Sequence, residues 1–344
     1  MFLSPLLTSF GLTALFAYLV LRFFPKLGLV DNPKRYGHQR SAIPYPGGIA
    51  IFGAVVISLM IFLPLDPSLR AVISGATLLA ITSFADDRRG LSPFFRLGIQ
   101  FIAAVLLVLG GIGINSLSNP FGDPIILDSM NLPFSLGSFT FVLTVFADLV
   151  TIVWVMAMIN AFNWIDGIPG MSSSIAAVSS LILLVLSTRP DFHFIDQTLA
   201  ITLSSIILGA SLAFLFFDFP PAKMLIGDTG SMLLGFLLAV TAIISGGKIA
   251  TTILVLGFPI LDFAWVIGRR MWQGKSPFKG DLWHFHHRFF KAGFSERRIV
   301  LFFVAASAVF GSLSLSLHTE GKVWALFGII SVMVLLAATL YSKK

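Results

Sequence analysis

Long apolar runs separated by short polar loops set the pattern of this chain. Eleven are continuous enough to predict membrane-spanning helices, at about residues 2–24, 47–65, 69–85, 94–113, 138–160, 168–187, 197–217, 231–246, 249–268, 299–317 and 322–341. A helix that crosses the bilayer core needs roughly 20 mostly apolar residues. Strands of a membrane β-barrel alternate apolar and polar positions instead. The unbroken runs therefore favour an all-α polytopic membrane protein. The first run lacks a basic start and a small-residue cleavage site, and its basic flank, Arg22 and Lys26, comes at its far end. It reads as a retained helix rather than a signal peptide. Ile125-Ile126-Leu127 and Leu132-Pro133-Phe134 flank Asp128-Ser129-Met130-Asn131, which predicts a short hairpin between the fourth and fifth runs. No soluble domain or tandem repeat interrupts the pattern, so residues 1–344 read as one membrane-embedded domain.

Composition agrees. Of 344 residues, 56% are hydrophobic and 11% are charged, against about 25% charged in soluble proteins. That excludes an ordinary soluble enzyme, a disordered chain and a collagen-like fibre. The absence of cysteine excludes disulfides, thiolate nucleophiles and cysteine-ligated zinc.

Charge sets the orientation. Lys and Arg number 23 against 16 Asp and Glu, a net +7. With the loop after the first run placed in the cytoplasm, only Arg70, Arg189, Lys248 and Lys322 of those 23 fall outside, which leaves 19 inside. This positive-inside bias puts the N-terminus outside and the C-terminus in the cytoplasm. The basic excess is then a topology signal, and no nucleic-acid partner is expected.

Five polar clusters interrupt the apolar pattern, and this topology turns all of them to the cytoplasm. The first runs from Asp31 to Arg40, with Lys34, Arg35 and His38, into Pro44-Tyr45-Pro46-Gly47-Gly48. The second is Asp86-Asp87, followed by Arg88-Arg89-Gly90-Leu91-Ser92-Pro93. Adjacent carboxylates need cations, a metal or a raised pKa. The third is Asn160-Ala161-Phe162-Asn163-Trp164-Ile165-Asp166-Gly167-Ile168-Pro169-Gly170. Its Asn160, Asn163 and Asp166 share a helix face by spacing. The fourth is Gly227-Asp228-Thr229-Gly230-Ser231, where a helix N-terminus favours phosphate and Asp228 offers a hard oxygen to Mg2+. The fifth is the loop 269–298, with Arg269-Arg270, Lys275-Ser276-Pro277-Phe278 and His284-Phe285-His286-His287-Arg288.

Each cluster alone also reads as ordinary structure: a topology anchor, a solvated helix end or a helix cap. Zinc is a rival for the histidines, though adjacent histidines rarely converge on one tetrahedral ion. Together the clusters describe a cytoplasmic cleft with carboxylates for a metal and cations for phosphates.

Four of the motifs carry a resemblance. Asp86-Asp87, Asn160-x-x-Asn163-x-x-Asp166-Gly167, Gly227-Asp228-Thr229-Gly230-Ser231 and His284-x-His286-His287 resemble, in order and loop position, the polyprenyl-phosphate N-acetylhexosamine-1-phosphate transferases. The His-x-His-His form, Arg269-Arg270 and Lys275-Ser276-Pro277-Phe278 look more like the WecA/TagO-like branch than the related phospho-MurNAc-pentapeptide translocase. The resemblance implies an enzyme that transfers a HexNAc-1-phosphate, GlcNAc-1-phosphate first, from a UDP-sugar to undecaprenyl phosphate. UMP is released and a lipid-linked cell-envelope polysaccharide is started. It implies Mg2+ as cofactor, with Mn2+ as the alternative, a multi-pass place in the cell membrane with the active site facing the cytoplasm, and a homodimer by analogy.

By the same resemblance, Asp228 is the first metal ligand and Asn163 the second. Asp86, Asp87, Asp166, His284, His286 and His287 are catalytic candidates. Lys34, Arg35 and His38 are expected near the lipid phosphate, and Asn160, Asp218, Arg270 and Arg288 at the substrates. Asp87 is the expected base for direct attack, so Asp87→Asn should stop turnover and spare donor binding. Three positions depart from the family pattern: Pro169 replaces an aspartate, Asp218 an asparagine, and Leu225 a phenylalanine that stacks on uracil. They keep open an inactive homologue; a transporter is the alternative from another class. Asp262, in Pro259-x-x-Asp262, reads as a support of the cleft. Asp148 reads equally as an interhelix contact or a functional acid.

Overall fold

The computed structural model describes residues 2–33, 41–136, 139–189, 196–246, 249–275 and 284–341. Lys34, Arg35 and His38 lie outside the described residues. Helices α1 (Leu3–Phe23), α2 (Gly48–Phe62), α3 (Pro67–Arg89) and α4 (Pro93–Leu109) precede two small hairpins. After β1 (Ser116–Leu117), β2 (Ile125–Ile126), β3 (Asn131–Leu136) and β4 (Phe139–Thr144) come α5 (Val145–Ile165), α6 (Met171–Ser187), α7 (Thr198–Asp218) and α8 (Gly227–Ile244). The chain closes with α9 (Ile249–Val255), α10 (Gly257–Trp272), α11 (Phe285–Lys291), α12 (Glu296–Ser314) and α13 (Thr319–Tyr341).

Every predicted run overlaps a helix, but not all of these helices are long. Among the described residues, α1, α3, α5, α7, α8, α12 and α13 are long and apolar enough to cross a membrane, and α9 with α10 makes an eighth if that bent pair is one span. The apolar helices α2, α4 and α6 are shorter, at 15, 17 and 17 residues, or about 22–26 Å at 1.5 Å per residue. Their ends explain the shortfall. Pro64 disfavours helix at Leu63, Gly110-Gly111 ends α4, and Gly170 in a left-handed conformation (φ 78°) delays the start of α6. Two starts are fixed by side chains: Asp66 accepts the N–H of Leu69 at 2.7 Å and Ser92 that of Phe95 at 3.2 Å, each followed by proline at the first helical position.

Three local expectations need correction. The run 249–268 is not one straight helix; it bends by 84° between α9 and α10. Pro259 has no N–H to give the carbonyl one turn back, so the ladder breaks where α10 begins. The run 138–160 starts as strand, and Asp148 reaches back to accept the Thr144 N–H at 2.8 Å, which makes it a fastener of the strand-to-helix corner. The hairpin forms with other partners: β2 pairs with β1, while Leu132 and Pro133 of β3 pair with Leu143 and Val142 of β4.

Helix α8 is the axis of the bundle. It packs against α2, α3, α5, α6 and α7, and nearly every side chain from Gly227 to Ile243 is buried. A helix apolar all round belongs in such a place. A Cβ on Gly48 would stand 2.2 Å from the Gly230 nitrogen, so α2 meets α8 backbone to backbone. The N-terminus of this central helix carries the fourth polar cluster.

Candidate active site

The site is built on the first turn of α8. The leading N–H groups of a helix have no partner within it, and here α3 supplies one. Asp87 Oδ1 accepts the Asp228 N–H at 2.9 Å, and Oδ2 accepts the Thr229 N–H at 3.0 Å and the Thr229 hydroxyl at 2.6 Å. The Tyr45 hydroxyl donates to the same carboxylate. A negative group at the positive end of a helix is stabilised by the dipole. Gly227 has φ 72°, and a Cβ there would meet Pro46 Cβ at 2.7 Å and Asp87 Oδ2 at 2.9 Å; no side chain fits. The preceding segment is pinned as well, since Leu225 donates to the Pro44 carbonyl at 3.1 Å and accepts from Gly47 at 2.7 Å.

Asp86 faces the other way. It accepts the Leu91 N–H, and its Oδ2 lies 2.8 Å from Arg96 Nη1. That nitrogen also lies 3.0 Å from Asp228 Oδ2. One turn along α4, Gln100 exchanges amide hydrogen bonds with Asn160, at 2.6 and 3.4 Å. Asn163 Nδ2 donates to Ser231 Oγ at 3.3 Å, and its side chain hydrogen-bonds Asp228. The acidic pair, the asparagine strip and the Gly-Asp-Thr-Gly-Ser segment thus converge on Asp228.

Asp166 ends α5 as its C-cap. Burial, and then the charge of nearby Asp218, pushes its carboxyl well above the usual carboxylate range. Asp218 itself is fully buried and accepts the Ser173 hydroxyl at 2.7 Å. It ties α7 to α6 and does not line an opening, which departs from the expected substrate contact.

The histidine motif meets the same loops from the other side. Asp262 on α10 takes His284 Nδ1 at 2.8 Å and the Phe285 N–H at 3.1 Å. A ring that gives Nδ1–H to a carboxylate is fixed in orientation and keeps Nε2 for another partner. Trp164 packs at 5.5 Å from the His284 ring and 4.7 Å from Phe263, with the Arg270 guanidinium 5.1 Å from the indole. His286 stacks on His284 at 5.6 Å and meets His287 at 4.2 Å. A Cβ on Gly167 would stand 2.2 Å from His286 Nε2, so the third cluster needs glycine where α11 lands. Arg288 lies 5.8 Å over the Phe285 ring.

The dyad makes Asp262 a positioning residue. Asp262→Asn should lower turnover about 10- to 100-fold, the usual cost of losing such an orienting partner. A chain that folds normally and turns over at the wild-type rate would remove Asp262 from the site.

His286 behaves unlike the cation expected from the sequence. Burial, and then the neighbouring rings of His287 and His284, lower its pKa well below the ordinary value, so it is neutral at neutral pH. Unfolding restores an ordinary pKa of about 6.5, and the unfolded chain then binds a proton that the folded chain refuses. The stability is complete above about pH 6.5 and is lost as pH falls below it, by at most about 1.4 kcal/mol per pH unit. The melting temperature in detergent should fall on acidification through this window, and His286→Gln should flatten the dependence. An equally steep dependence in the variant would refute the assignment.

Sequence reasoning passed over Arg96, Tyr45, Thr229 and Gln100. Arg96 and Gln100 had a usable signal: polar residues four apart on an otherwise apolar helix mark one face. Tyr45 gave none, because its partner is 42 positions away.

The sequence signature described as glycosyl transferase family 4 matches residues 69–246. That stretch carries α3 to α8 and three of the four motifs, and stops short of the histidines. The chain is also similar to a probable undecaprenyl-phosphate N-acetylglucosaminyl 1-phosphate transferase of Bacillus subtilis (strain 168), at 29% identity over 97% of this chain and 88% of the relative. It is 28% identical to the undecaprenyl-phosphate alpha-N-acetylglucosaminyl 1-phosphate transferase of Escherichia coli O157:H7, over 98% of this chain and 89% of that one. The enzyme of the same name from Yersinia pestis is 29% identical over 89% and 81%.

Proposed function

Because this chain belongs to glycosyl transferase family 4, we propose that it transfers GlcNAc-1-phosphate from a UDP-sugar to undecaprenyl phosphate and releases UMP. The convergence of the acidic pair and the asparagine strip on Asp228 of the Gly-Asp-Thr-Gly-Ser segment, at the α8 N-terminus, carries this reading. The names of the relatives support the sugar phosphate and the lipid acceptor. The positive-inside bias supports a cytoplasmic site.

Mg2+ fits the donor set. Among the described residues no three His, Cys, Asp or Glu side chains converge on a metal, so no all-protein cage exists. Asp228 offers a hard carboxylate oxygen, and Asn163, whose side chain hydrogen-bonds it, would add its amide oxygen as a second ligand. Mg2+ is commonly held by one or two carboxylates, with substrate phosphates and water completing its octahedron. Bound there, it would neutralise charge on the donor diphosphate and on the leaving UMP.

The chain's own groups do the rest. The α8 N-terminus holds Asp87, and the clamp between them fixes Asp228 in place. His284, held by Asp262, and the nearby Arg270 and Arg288 meet the charge that develops on UMP. Trp164 and Phe263 pack against each other on the histidine side. The acceptor needs little help to become a nucleophile, because a phosphate monoester has its second pKa near 6 and is mostly dianionic at neutral pH. The chain must overcome repulsion between two anions and align them; strong base catalysis is not required.

The test is direct. Detergent-purified protein is incubated with Mg2+, undecaprenyl phosphate and a panel of UDP-HexNAc donors, and UMP is measured. Release that depends on the lipid phosphate, and is fastest with UDP-GlcNAc, is the expected result. No UMP from any donor would reject the proposal.

A further inference from the structure

Arg96 is shared by two carboxylates of unequal depth. Its Nη1 stands 2.8 Å from Asp86 Oδ2 and 3.0 Å from Asp228 Oδ2. The Asp86 side chain is only 7% exposed, whereas those of Asp228 and Arg96 are 29% and 30% exposed. Asp86 is also anchored by the Leu91 N–H. The contact to Asp86 is therefore the permanent one, because an unpaired buried carboxylate is costly. The contact to Asp228 lies at the open edge and can be exchanged.

A guanidinium and a divalent ion cannot both sit against one carboxylate edge without strong repulsion between them. We infer that Arg96 is the resident counter-ion of Asp228, and that a divalent cation arriving with the donor diphosphate displaces it. Arg96 then pivots on Asp86 and turns its remaining N–H groups to the incoming phosphates. A guanidinium has five donors in a fixed fork, which suits such a transfer. The consequence is coupling. The metal binds weakly to the empty chain, because it must evict Arg96, and tightly with the diphosphate, because Arg96 gains a new partner. This inference rests on the proposed metal role of Asp228.

The experiment needs no turnover. Mn2+ binding to the purified full chain is measured by electron paramagnetic resonance, first without donor and then with UDP. Arg96→Gln alone leaves Asp86 buried and unpaired, so the main comparison is the double variant Asp86→Asn with Arg96→Gln. That pair of changes removes one positive and one negative charge and leaves the local net charge as it was. Donor-free Mn2+ affinity should rise about tenfold, the scale of one charge-assisted hydrogen bond no longer competing. The gain conferred by UDP should shrink by a similar factor. Asp86→Asn alone leaves Arg96 with Asp228 as its remaining carboxylate and should weaken donor-free binding. Unchanged or weaker binding in the double variant would overturn the inference while leaving the metal site standing. No Mn2+ binding to any form, with or without UDP, would overturn the metal reading and the inference with it.

Discussion

Replacing Asp228 with alanine should lower UMP release by about a thousandfold or more, the scale reached when a key electrostatic or metal contact to the transition state is removed. The backbone N–H of Asp228 is held by Asp87, but its side chain turns outward to Arg96 and Asn163. Little of the fold hangs on that carboxylate. Arg96 keeps Asp86 as a partner, and the α8 N-terminus keeps its cap. The variant should therefore melt near the wild-type temperature, and its loss should be one of chemistry. Mn2+ binding should fall with turnover. Turnover within about tenfold of wild type, or a collapse of the folded protein, would show that Asp228 is not the centre of the site.

The departures from the family pattern bear on how far that prediction extends. Pro169 precedes the left-handed Gly170 at the start of α6, and Asp218, at the end of α7, meets Ser173 of α6. Leu225 contributes backbone hydrogen bonds to residues 44 and 47. None of the three touches Asp228, Arg96 or Asn163 through a side-chain hydrogen bond among the described residues. The arrangement around Asp228 is thus complete without them, which argues against an inactive homologue.

The site was legible to the extent that it is encoded locally. Asn160 and Asn163 share a face because spacing along a helix fixes it, and Asp228 sits at a helix start because glycines and hydroxyls mark one. Apolar runs placed every long helix, since bilayer and core impose the same demand on composition. The missing parts are those that only tertiary packing decides. The bend at Leu256 depends on a proline whose helix context was open. The strand at 139–144 has the same apolar character as the helix that follows, and period alone does not separate them. Arg96 counted as one more positive-inside charge, because nothing in its neighbourhood announces two acids 10 and 132 positions away. The charge state of His286 depends on the burial of its ring where α11 lands on Gly167, which no spacing rule reports.

Asp87→Asn should reduce turnover by about a hundredfold or more, and donor-independent Mn2+ binding should weaken with it. The sequence alone pointed to a base whose loss spares ligand binding. The geometry gives Asp87 a different task. Both carboxylate oxygens face donors, from Tyr45 and Asp228 on one side and from both groups of Thr229 on the other. Asparagine offers one acceptor and one NH2, so one edge would set donor against donor. Each charge-assisted hydrogen bond contributes about 1.5–3 kcal/mol, and about 1.4 kcal/mol is a factor of ten in rate. Displacing the first turn of α8 carries Asp228 with it, so metal affinity and melting temperature should fall together. Tyr45→Phe and Thr229→Val remove single donors from the same clamp and should lower both quantities by smaller amounts. Combined with Asp87→Asn they should add little further loss, as expected for groups acting through one carboxylate. A base would behave otherwise: turnover would vanish in Asp87→Asn with metal binding and melting temperature unchanged, and Thr229→Val would be close to silent. That outcome would return Asp87 to the chemistry of the acceptor phosphate and remove it from the support of Asp228.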